Sequence, residues 1–514
     1  MLRGVVGSFL DSLTEREFDA PLLAVLPAQG FTDIHFIHGG FEFGKDVIAK
    51  RTDANGTIRQ YSIQSKAGDI GQGDWRSIRP QLEECEYNTR AHPNFDEDLP
   101  RVAVLVTTGR LKGSAAVDAQ EFRKACEKRG LADFEVWDRY TLLDWLCLDP
   151  SLGLTEIGVQ DELVALLTSI ARRTLTEPNL ERHSRQWLAG DDDRHRLARA
   201  SIETSLICTE LVAVRRLDLA ALTALHLYRA AWVPPSADAG PATVSDASLR
   251  LFASYATELL DQATPLLSSP KHLADTVMDA GFVITYPATC CRLAEVFGLL
   301  ALLGEPDVSA RAADAVATLA SDHPGTARPP SDQFAASLVP LVVVLARQDR
   351  QAAVQFMRKV SIWLLDRHDA DKNGLGLGSL DENEETQFER LVGGATSITT
   401  LELRNSSYLA SVALDALWVI GAQDLYDALL ENLSALRIVA SATAADERFA
   451  RWKRGGGNVF PRTRVDYPRW TDRAGQTPTA HTSAELEALL LGAVCRSRHY
   501  PGAMAALTRI SSDG

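Results

Sequence analysis

Three side chains that suit metal-dependent hydrolysis lie on two neighbouring segments near the amino terminus. Asp46 opens a short run with the pattern of a β-strand, and Gln64 and Lys66 lie two apart at the end of a second run, Ile58–Lys66. The turn Asp53–Gly56 between the two runs is typical of a hairpin, because its Asn-Gly pair accepts positive φ. Residues two apart on a strand share a face. The pattern therefore predicts that Asp46, Gln64 and Lys66 meet on one face of a hairpin.

These residues predict a divalent-cation site that hydrolyses phosphodiester bonds. Mg²⁺ and Mn²⁺ prefer oxygen ligands, which the Asp46 carboxylate, the Gln64 amide and the main-chain carbonyl of Ser65 supply. A cation held there polarises a phosphate and lowers the pKa of an attacking water. Lys66 is expected to orient that water or to offset the negative charge of the transition state. The alternative is that these side chains form only a solvated polar face of a strand.

The elements that must position these side chains follow one another over the first 148 residues. Short β-like runs alternate there with helical patterns, in the order α-β-β-β-α-β-α-β-α, which predicts a compact α/β domain. Pro21 lies in the first helical pattern and is expected to kink that helix or delay its start. Strands are expected at Thr32–Ile37, Asp46–Lys50, Ile58–Lys66, Arg101–Thr107 and Phe134–Trp137, and the later helices at about Asp74–Tyr87, Ala115–Arg129 and Tyr140–Leu146.

This succession of elements resembles the Mrr-like branch of the PD-(D/E)XK nucleases. The pattern of that family is a helix with Phe-Glu, then Gly-x-Asp and Gln-x-Lys, a later strand that ends in Thr-Thr, and a closing strand and helix. The matching elements are, in chain order, Phe18-Asp19, Gly44-Lys45-Asp46, Gln64-Ser65-Lys66, Val104–Gly109 and Trp137–Leu146. The resemblance covers about residues 14–148.

The resemblance implies a restriction-endonuclease-like domain at residues 1–150 that cuts double-stranded DNA with Mg²⁺ or Mn²⁺. It also implies the effector of a restriction or anti-phage defence system, acting as a homo-oligomer or with a partner defence subunit. Two other functions remain open from the sequence. The nuclease fold is degenerate in the first, and the protein is a DNA-binding or scaffold subunit. In the second, the domain is an RNA-cleaving effector.

The first acidic residue of the site has two candidates, Glu17 and Asp19. Asp19 occupies the position at which the family pattern has Glu, and Glu17 lies two positions earlier. Residues two apart on a helix do not share a face, so only one of them is expected to reach the metal. Each also has a local alternative. The run Thr14-Glu15-Arg16-Glu17 has the pattern of a capping box, and Asp19 precedes Pro21 at a position that suits an N-cap.

Residues 151–514 read differently from the first region. A breaker cluster at Asp149–Gly153 marks the predicted boundary. After it, Ala- and Leu-rich helical patterns such as Arg194–Leu211 and Ser309–Ser321 recur without a fixed period. The pattern predicts a large all-α domain of helix hairpins or an irregular bundle. The resemblance implies that this domain has a sensing or assembly role.

The charge of the chain argues against an extended DNA-coating surface. The formal net charge is −15, whereas nucleic-acid-binding proteins are usually basic. A local basic stretch is compatible with this balance. The densest one interleaves basic residues with aromatic ones, which suits phosphate contacts and base stacking. Its proposed nucleic-acid-binding residues are Arg451, Lys453, Arg454, Arg462 and Arg464. A surface loop that pairs with the acidic body is the alternative.

The remaining signals concern the compartment. Seven cysteines are scattered without a CxxC pair, which favours reduced, buried thiols over a zinc site or a disulfide framework. Residues 1–13 lack the apolar core of a signal peptide. The longest apolar run, Phe334–Ala346, contains Pro340 and is too short to span a bilayer. The sequence therefore predicts a soluble cytoplasmic protein without a membrane partner.

Overall fold

The computed structural model describes most of the chain. The described residues are 2–37, 45–88, 92–154, 161–188, 193–232, 243–277, 282–379, 382, 384–393, 401–443, 462–473, 485–496 and 499–509. The chain divides into two compact units. The first comprises Met1–Val214 and Thr243–Ser248, and the second Arg215–Ala242 and Leu249–Gly514.

The first unit contains a mixed five-stranded sheet in the order β1-β2-β3-β4-β5. Its strands are β1 (Phe31–Phe36), β2 (Val47–Thr52), β3 (Ile58–Lys66), β4 (Arg101–Thr107) and β5 (Asp133–Trp137). The pairs β1/β2 and β2/β3 are antiparallel, whereas β3/β4 and β4/β5 are parallel. A helix lies between the two strands of each parallel pair, because a parallel connection needs a crossover. The carboxyl ends of β3, β4 and β5 therefore lie at the same edge of the sheet.

Among the described residues, eight α-helices lie wholly within the first unit. They are α1 (Arg3–Ser12), α2 (Glu15–Ala28), α3 (Gln72–Tyr87), α4 (Ser114–Arg129), α5 (Arg139–Leu148), α6 (Asp161–Ala171), α7 (Glu177–Ser184) and α8 (Asp193–Ala213). The order predicted from the sequence is confirmed from α2 to α5. The prediction for Pro21 was wrong in one respect: α2 begins at Glu15 and continues through Pro21. Helix α1 had no counterpart in the sequence-based prediction.

Both faces of the sheet carry aromatic packing. On one face, Trp75 of α3 lies 6.1 Å from Phe122 of α4 between ring centroids, and Phe122 lies 4.9 Å from Phe134 of β5. On the other face, Tyr61 of β3 packs edge-on against Phe31 at 4.9 Å. Side chains along β3 point alternately to the two faces of the sheet. Because the buried Tyr61 lies on the face of Phe31, the even-numbered residues of β3 lie on the face covered by α3 and α4.

The first unit continues beyond the predicted boundary at residue 150. The sheet region ends with α5, and α8 then packs against α1 within the same unit. Helix α8 confirms the helix predicted at Arg194–Leu211, with one or two further residues at its ends. The breaker cluster at Asp149–Gly153 overlaps the short 3₁₀ helix Pro150–Leu154. It therefore ends the sheet region without ending the unit.

The rest of the chain is largely helical, but it is not all-α as the sequence predicted. Its helices are α9 (Leu217–Ala231), α10 (Thr243–Ala263), α11 (Pro270–Thr276), α12 (Phe282–Leu303), α13 (Pro306–Asp322), α14 (Leu338–Gln348), α15 (Arg350–His368), α16 (Glu384–Val392), α17 (Tyr408–Val419), α18 (Gln423–Ala435), α19 (Trp470–Arg473), α20 (Glu485–Val494) and α21 (Pro501–Arg509). A small sheet of order β6-β7-β8 accompanies them, with strands Ser406–Ser407, Val439–Thr443 and Arg462–Arg464. Strands β6 and β8, with two and three residues, are too short to give a period-2 signal.

Helix α12 is the one described helix that is long and apolar enough to cross a membrane by length and composition. Its most apolar stretch is 67% buried. Cys290, Phe297 and Leu300 have no exposed surface, as expected of a helix at the centre of a packed unit.

Candidate active site

Asp46 directly precedes β2 and lies in contact with Gln64 and Ser65, two of the other predicted residues. Its Oδ2 accepts hydrogen bonds from Gln64 Nε2 and from the main-chain N–H of Ser65, both at 2.6 Å. The main chain of Asp46 is fixed as well, because its N–H donates to Ile63 O at 2.9 Å and its carbonyl accepts from Ile37 N at 2.8 Å. The antiparallel pairing of β2 with β3 therefore places the carboxylate on the face that also carries Gln64.

The oxygen donors of this group fit a hard cation, although no carboxylate cluster is present. Among the residues that the structure describes, no three His, Cys, Asp or Glu side chains are close enough to hold a metal. A cation would instead use Asp46, the main-chain carbonyl of Ser65 and the Gln64 amide, with water completing the shell. In the present arrangement Gln64 turns its amide nitrogen to Asp46. Ligation by the Gln64 oxygen therefore requires the amide group to rotate.

Lys66 ends β3 and pairs with a carboxylate that the sequence analysis missed. Its Nζ lies 2.7 Å from Oε1 of Glu15, in the first turn of α2. The Lys66 side chain is 20% exposed and that of Glu15 is 50% exposed, so the pair is accessible to a substrate. We refer to Asp46, Gln64, Ser65 and Lys66 as the Asp46 site. Glu15 is the α2 carboxylate that contacts it.

Glu17 is engaged elsewhere, as the capping-box alternative predicted. The main-chain N–H of Thr14 donates to Glu17 Oε2 at 2.6 Å, and Glu17 N donates to Thr14 Oγ1 at 3.4 Å. Glu17 Oε1 also pairs with His195 of α8. Burial alone raises the pKa of Glu17, but the hydrogen bonds from Thr14 and the charge of His195 outweigh it and lower the pKa. The structure therefore favours the capping role of Glu17 over a catalytic one.

Asp19 is the candidate that shares a helical face with Glu15. Residues four apart on a helix are neighbours on its surface, whereas Glu17 lies between them on a different face. Asp19 is half-buried. It lies inside α2, so the N-cap alternative for it was wrong, because the helix begins at Glu15 after Thr14. The spacing of Glu15 and Asp19 was a signal available in the sequence.

A second lysine lies directly beside Asp46 in the chain. Lys45 is fully buried, and its ammonium is 5.7 Å from the centroid of the Phe95 ring. Burial lowers the pKa of Lys45, and the nearby Cys85 and Glu84 on α3 partly oppose that shift. Lys45 is the middle residue of the Gly44-Lys45-Asp46 motif. Its burial shows that this position is part of the packing beneath the candidate site.

The predicted Thr-Thr strand end supports the segment that follows Lys66. Thr107 Oγ1 donates to Gly68 O at 2.6 Å, and Gly68 N donates to Thr108 Oγ1 at 2.8 Å. Thr108 N also donates to Lys66 O at 3.3 Å. Gly109 packs so closely that an added Cβ would lie 2.1 Å from the carbonyl carbon of Gly68. These contacts tie the ends of β3 and β4 into one rigid edge.

A polar cluster occupies the bulge in β1, on the strand that pairs with β2. Asp33 has a left-handed φ of 49°, and its carboxylate accepts from Lys50 Nζ at 2.6 Å, His35 Nε2 at 2.7 Å and Asn94 Nδ2 at 3.0 Å. The hydrogen bonds from Lys50, Asn94 and His35 hold the pKa of Asp33 well below its usual range. The ring of His92 stacks on His35 with centroids 4.2 Å apart. No role was predicted for these histidines, and their contacts stabilise the bulged strand β1.

The predicted basic stretch is only partly within the described residues. Arg451, Lys453 and Arg454 lie outside the described residues. Arg462 begins β8, and only its main chain is described. Arg464 is 70% exposed and pairs with Asp466 at 2.7 Å.

The aromatic residues that follow this stretch have structural contacts. Tyr467 donates from its hydroxyl to Asp415 Oδ2 at 2.9 Å, and Trp470 lies 5.5 Å from Tyr426 between ring centroids. These two rings are therefore used in the packing of the second unit.

Comparisons with known proteins add no family. The chain matches no protein-family model, no curated protein and no solved structure. The geometry of the Asp46 site and the order of the motifs in the chain are therefore the basis for proposing a function.

Proposed function

We propose that the first unit is a metal-dependent endonuclease of the PD-(D/E)XK type that cuts double-stranded DNA. The observation that carries the proposal is the placement of Asp46 against Gln64 and Ser65, with Lys66 at the end of the same strand. The resemblance of the motif order to Mrr-like nucleases supports it. The α-β-β-β-α-β succession from α2 to β4 also supports it, because that succession places these residues together.

Each residue of the site has a distinct role in the proposed reaction. Asp46, the amide oxygen of Gln64 and the carbonyl of Ser65 would hold Mg²⁺ or Mn²⁺. When bound, such a cation polarises the scissile phosphate and lowers the pKa of the attacking water. Lys66 places its ammonium where negative charge develops on the phosphate. Its present partner Glu15 keeps it at that end of β3 until substrate arrives.

The biological setting follows from the resemblance rather than from the site. Proteins of this type join a nuclease to a second domain that senses or assembles, and the largely helical second unit fits such a role. We propose a cytoplasmic restriction or anti-phage effector, acting as a homo-oligomer or with a partner defence subunit. Its substrate lies in solution, and no membrane partner is required.

The direct test is cleavage of plasmid DNA by the purified full-length chain. Supercoiled plasmid is expected to become nicked or linear with Mg²⁺ or Mn²⁺ and to stay intact with a chelator, because the cation activates the water. Gel electrophoresis over time measures the conversion. Equal cleavage in chelator would contradict the proposal, because the proposed hydrolysis requires the cation.

A binding-only protein is the second candidate, and one observation favours it. Asp46 already has two hydrogen-bond donors and Lys66 already has a carboxylate partner, so the polar groups of the site have partners without a cation. This reading predicts DNA binding without cleavage in the plasmid assay. An RNA-cleaving effector would cut a structured RNA in the same buffers and leave the plasmid intact.

Lys66→Ala is expected to lower the cleavage rate by roughly 10²–10³, the usual cost of one lost transition-state contact. The variant should still bind Mg²⁺ and DNA, because Lys66 donates no oxygen to the cation. Single-turnover cleavage measures the rate, calorimetry the binding of Mg²⁺, and a gel shift the binding of DNA. Glu121→Ala, which removes an exposed carboxylate of α4, is the control and should behave as wild type. Normal cleavage by Lys66→Ala would reduce Lys66 to a surface lysine.

A further inference from the structure

An exposed arginine stacks on an exposed tyrosine at the edge of the sheet where β4 and β5 end. The Arg110 guanidinium carbon lies 4.7 Å from the centroid of the Tyr140 ring, and Tyr140 is 48% exposed. In the part of the chain that the structure describes, no carboxylate lies within ion-pair distance of the Arg110 side chain. The guanidinium is therefore in contact with a ring and not in a direct ion pair.

This pair lies at the same edge as Lys66. In the parallel pairing of β3 with β4, Lys66 is opposite Thr107, and Arg110 follows Thr107 by three residues. Tyr140 is the second residue of α5, which begins directly after β5. The main-chain N–H of Arg139 donates to Gly109 O at 2.8 Å and joins the start of α5 to the end of β4. The stacked pair and the proposed catalytic lysine therefore lie at the same end of the sheet, where β3, β4 and β5 have their carboxyl ends.

The position of Arg110 is also fixed relative to the strand of Lys66. Its main-chain N–H donates to Asp69 Oδ1 at 2.9 Å, and its carbonyl accepts from Ile70 N at 2.8 Å. Asp69 and Ile70 belong to the segment that directly follows Lys66. Because Thr107 and Thr108 hold Gly68 of that segment as well, the main chain at Arg110 is tied to the end of β3.

The electrostatic setting distinguishes Arg110 from its basic neighbour. Lys112 is exposed too, but its Nζ lies 2.5 Å from Asp69 Oδ2, which neutralises it. The Asp69 charge also acts on Arg110, but the Arg110 side chain forms no direct ion pair within the described residues, in a chain whose formal net charge is −15. A guanidinium on an aromatic face retains its N–H donors for a phosphate, and the ring restricts its orientation. Such a pair fits the sugar-phosphate backbone of a nucleic acid.

We propose that Arg110, held by Tyr140, binds a backbone phosphate of the DNA strand close to the phosphate that is cut. The proposal rests on the proposed nuclease function for its substrate. It deepens that function by assigning a DNA contact in the first unit, away from the basic stretch around Arg454. Binding itself requires neither metal nor cleavage, and it can therefore be tested separately.

The test is the binding of a fluorescent DNA duplex to the full-length chain in chelator, measured by anisotropy across a salt titration. Arg110→Ala is expected to weaken binding by about tenfold, because a charged hydrogen bond to phosphate is lost. The slope of log K against log salt should fall in magnitude by about 0.9, the contribution of one phosphate contact. Arg110→Lys should restore most of the slope, because it restores the charge.

Substitutions of the ring separate stacking from charge. Tyr140→Phe keeps the aromatic face and should bind as wild type does. Tyr140→Ala should weaken binding without changing the salt slope, because the guanidinium remains but is no longer held. The control is Arg123→Ala on α4, which removes an exposed arginine about 13 Å along the helix from Ser114 at its start. Helix α4 returns towards the opposite edge of the sheet, so this variant should bind normally.

The outcomes also separate this proposal from the nuclease function. If Arg110→Ala binds with the affinity and salt slope of Arg123→Ala, or if the wild type binds no duplex, the proposed contact is wrong. If Arg110→Ala weakens the binding of an RNA duplex of the same sequence but not the binding of the DNA duplex, DNA is the wrong partner. If the binding effects appear but plasmid stays intact with Mg²⁺, the contact is supported and the nuclease function fails.

Discussion

Asp46→Ala is expected to leave no measurable Mg²⁺-dependent cleavage of plasmid DNA, a loss of more than roughly 10³-fold. Asp46 is the only carboxylate among the proposed ligands, so its removal takes away the charge that holds the cation. The same carboxylate accepts hydrogen bonds from Gln64 and from Ser65. The measurement is single-turnover cleavage over a range of Mg²⁺ concentrations. Saturation at high Mg²⁺ to the wild-type rate would show that Asp46 is not a required ligand.

Loss of cleavage in Asp46→Ala has to be separated from loss of fold. The alanine leaves the Gln64 amide and the Ser65 N–H, both buried, without their acceptor. Asp46→Asn is the matched variant, because its amide oxygen still accepts from Ser65 N and its charge is gone. Asp46→Asn is therefore expected to melt close to the wild-type temperature and to remain inactive. Wild-type activity in both variants would remove the Asp46 site from the mechanism.

Gln64→Glu tests the metal from the opposite direction. The substitution places a second carboxylate where an amide now donates to Asp46 at 2.6 Å. Without a cation the two carboxylates repel each other and the protein should be less stable than wild type. With Mg²⁺ the repulsion is offset, so the melting temperature should rise more than that of the wild type, and cleavage should persist at least in part. An equal Mg²⁺ response in both proteins would contradict ligation at this position.

The second large effect concerns the stability of the second unit. Asp415→Asn is expected to lower the free energy of unfolding by about 3–5 kcal/mol, the cost of leaving one partner of a buried ion pair uncompensated. Asp415 Oδ1 pairs with Arg473, and both side chains are nearly inaccessible, at 6% and 9% exposed. Its other oxygen accepts from His499 Nε2 at 2.6 Å and from Tyr467 Oη at 2.9 Å. Urea denaturation followed by tryptophan fluorescence measures the change.

The chain provides a matched control for that measurement. Asp466 pairs with Arg464 at 2.7 Å, but these side chains are 80% and 70% exposed. Exposed ion pairs contribute little to the free energy of unfolding, so Asp466→Asn should change that free energy by less than about 1 kcal/mol. A similar loss of unfolding free energy in both variants would show that breaking the buried Asp415 pair destabilises the protein no more than breaking an exposed pair.

The same aspartate makes stability depend on pH. Burial alone raises the pKa of Asp415, but the hydrogen bond and charge of His499 and the charge of Arg473 outweigh it and lower the pKa. A carboxyl group whose pKa is lowered by folding adds stability above its unfolded pKa of about 3.9 and loses that contribution as pH falls through the folded value. The unfolding free energy of the wild type should therefore drop more steeply below pH of about 4 than that of Asp415→Asn. Parallel curves for the two proteins would contradict this.

The sequence by itself determined the elements whose signals are local. Strands β3 and β4 have the bounds that were predicted from the sequence, and Gly56 takes a φ of 82° in the predicted hairpin turn. The capping box of Thr14 and Glu17 spans only one helical turn, so it was also readable. The pairing of Asp46 with Gln64 followed from that hairpin, because its two strands are joined by a short turn.

Only the tertiary structure decided which carboxylate of α2 meets Lys66 and where the first unit ends. Lys66 contacts Glu15 across 51 residues of sequence, and helical spacing alone left Glu17 and Asp19 as the candidates. Helix α1 carries two glycines, which lowers its helix propensity, but Val5, Val6 and Phe9 are buried and stabilise it by packing. Contacts between residues far apart in the chain leave no periodic signal in either segment. The Lys66–Glu15 contact and helix α1 therefore depend on packing between distant segments, which local sequence patterns do not predict.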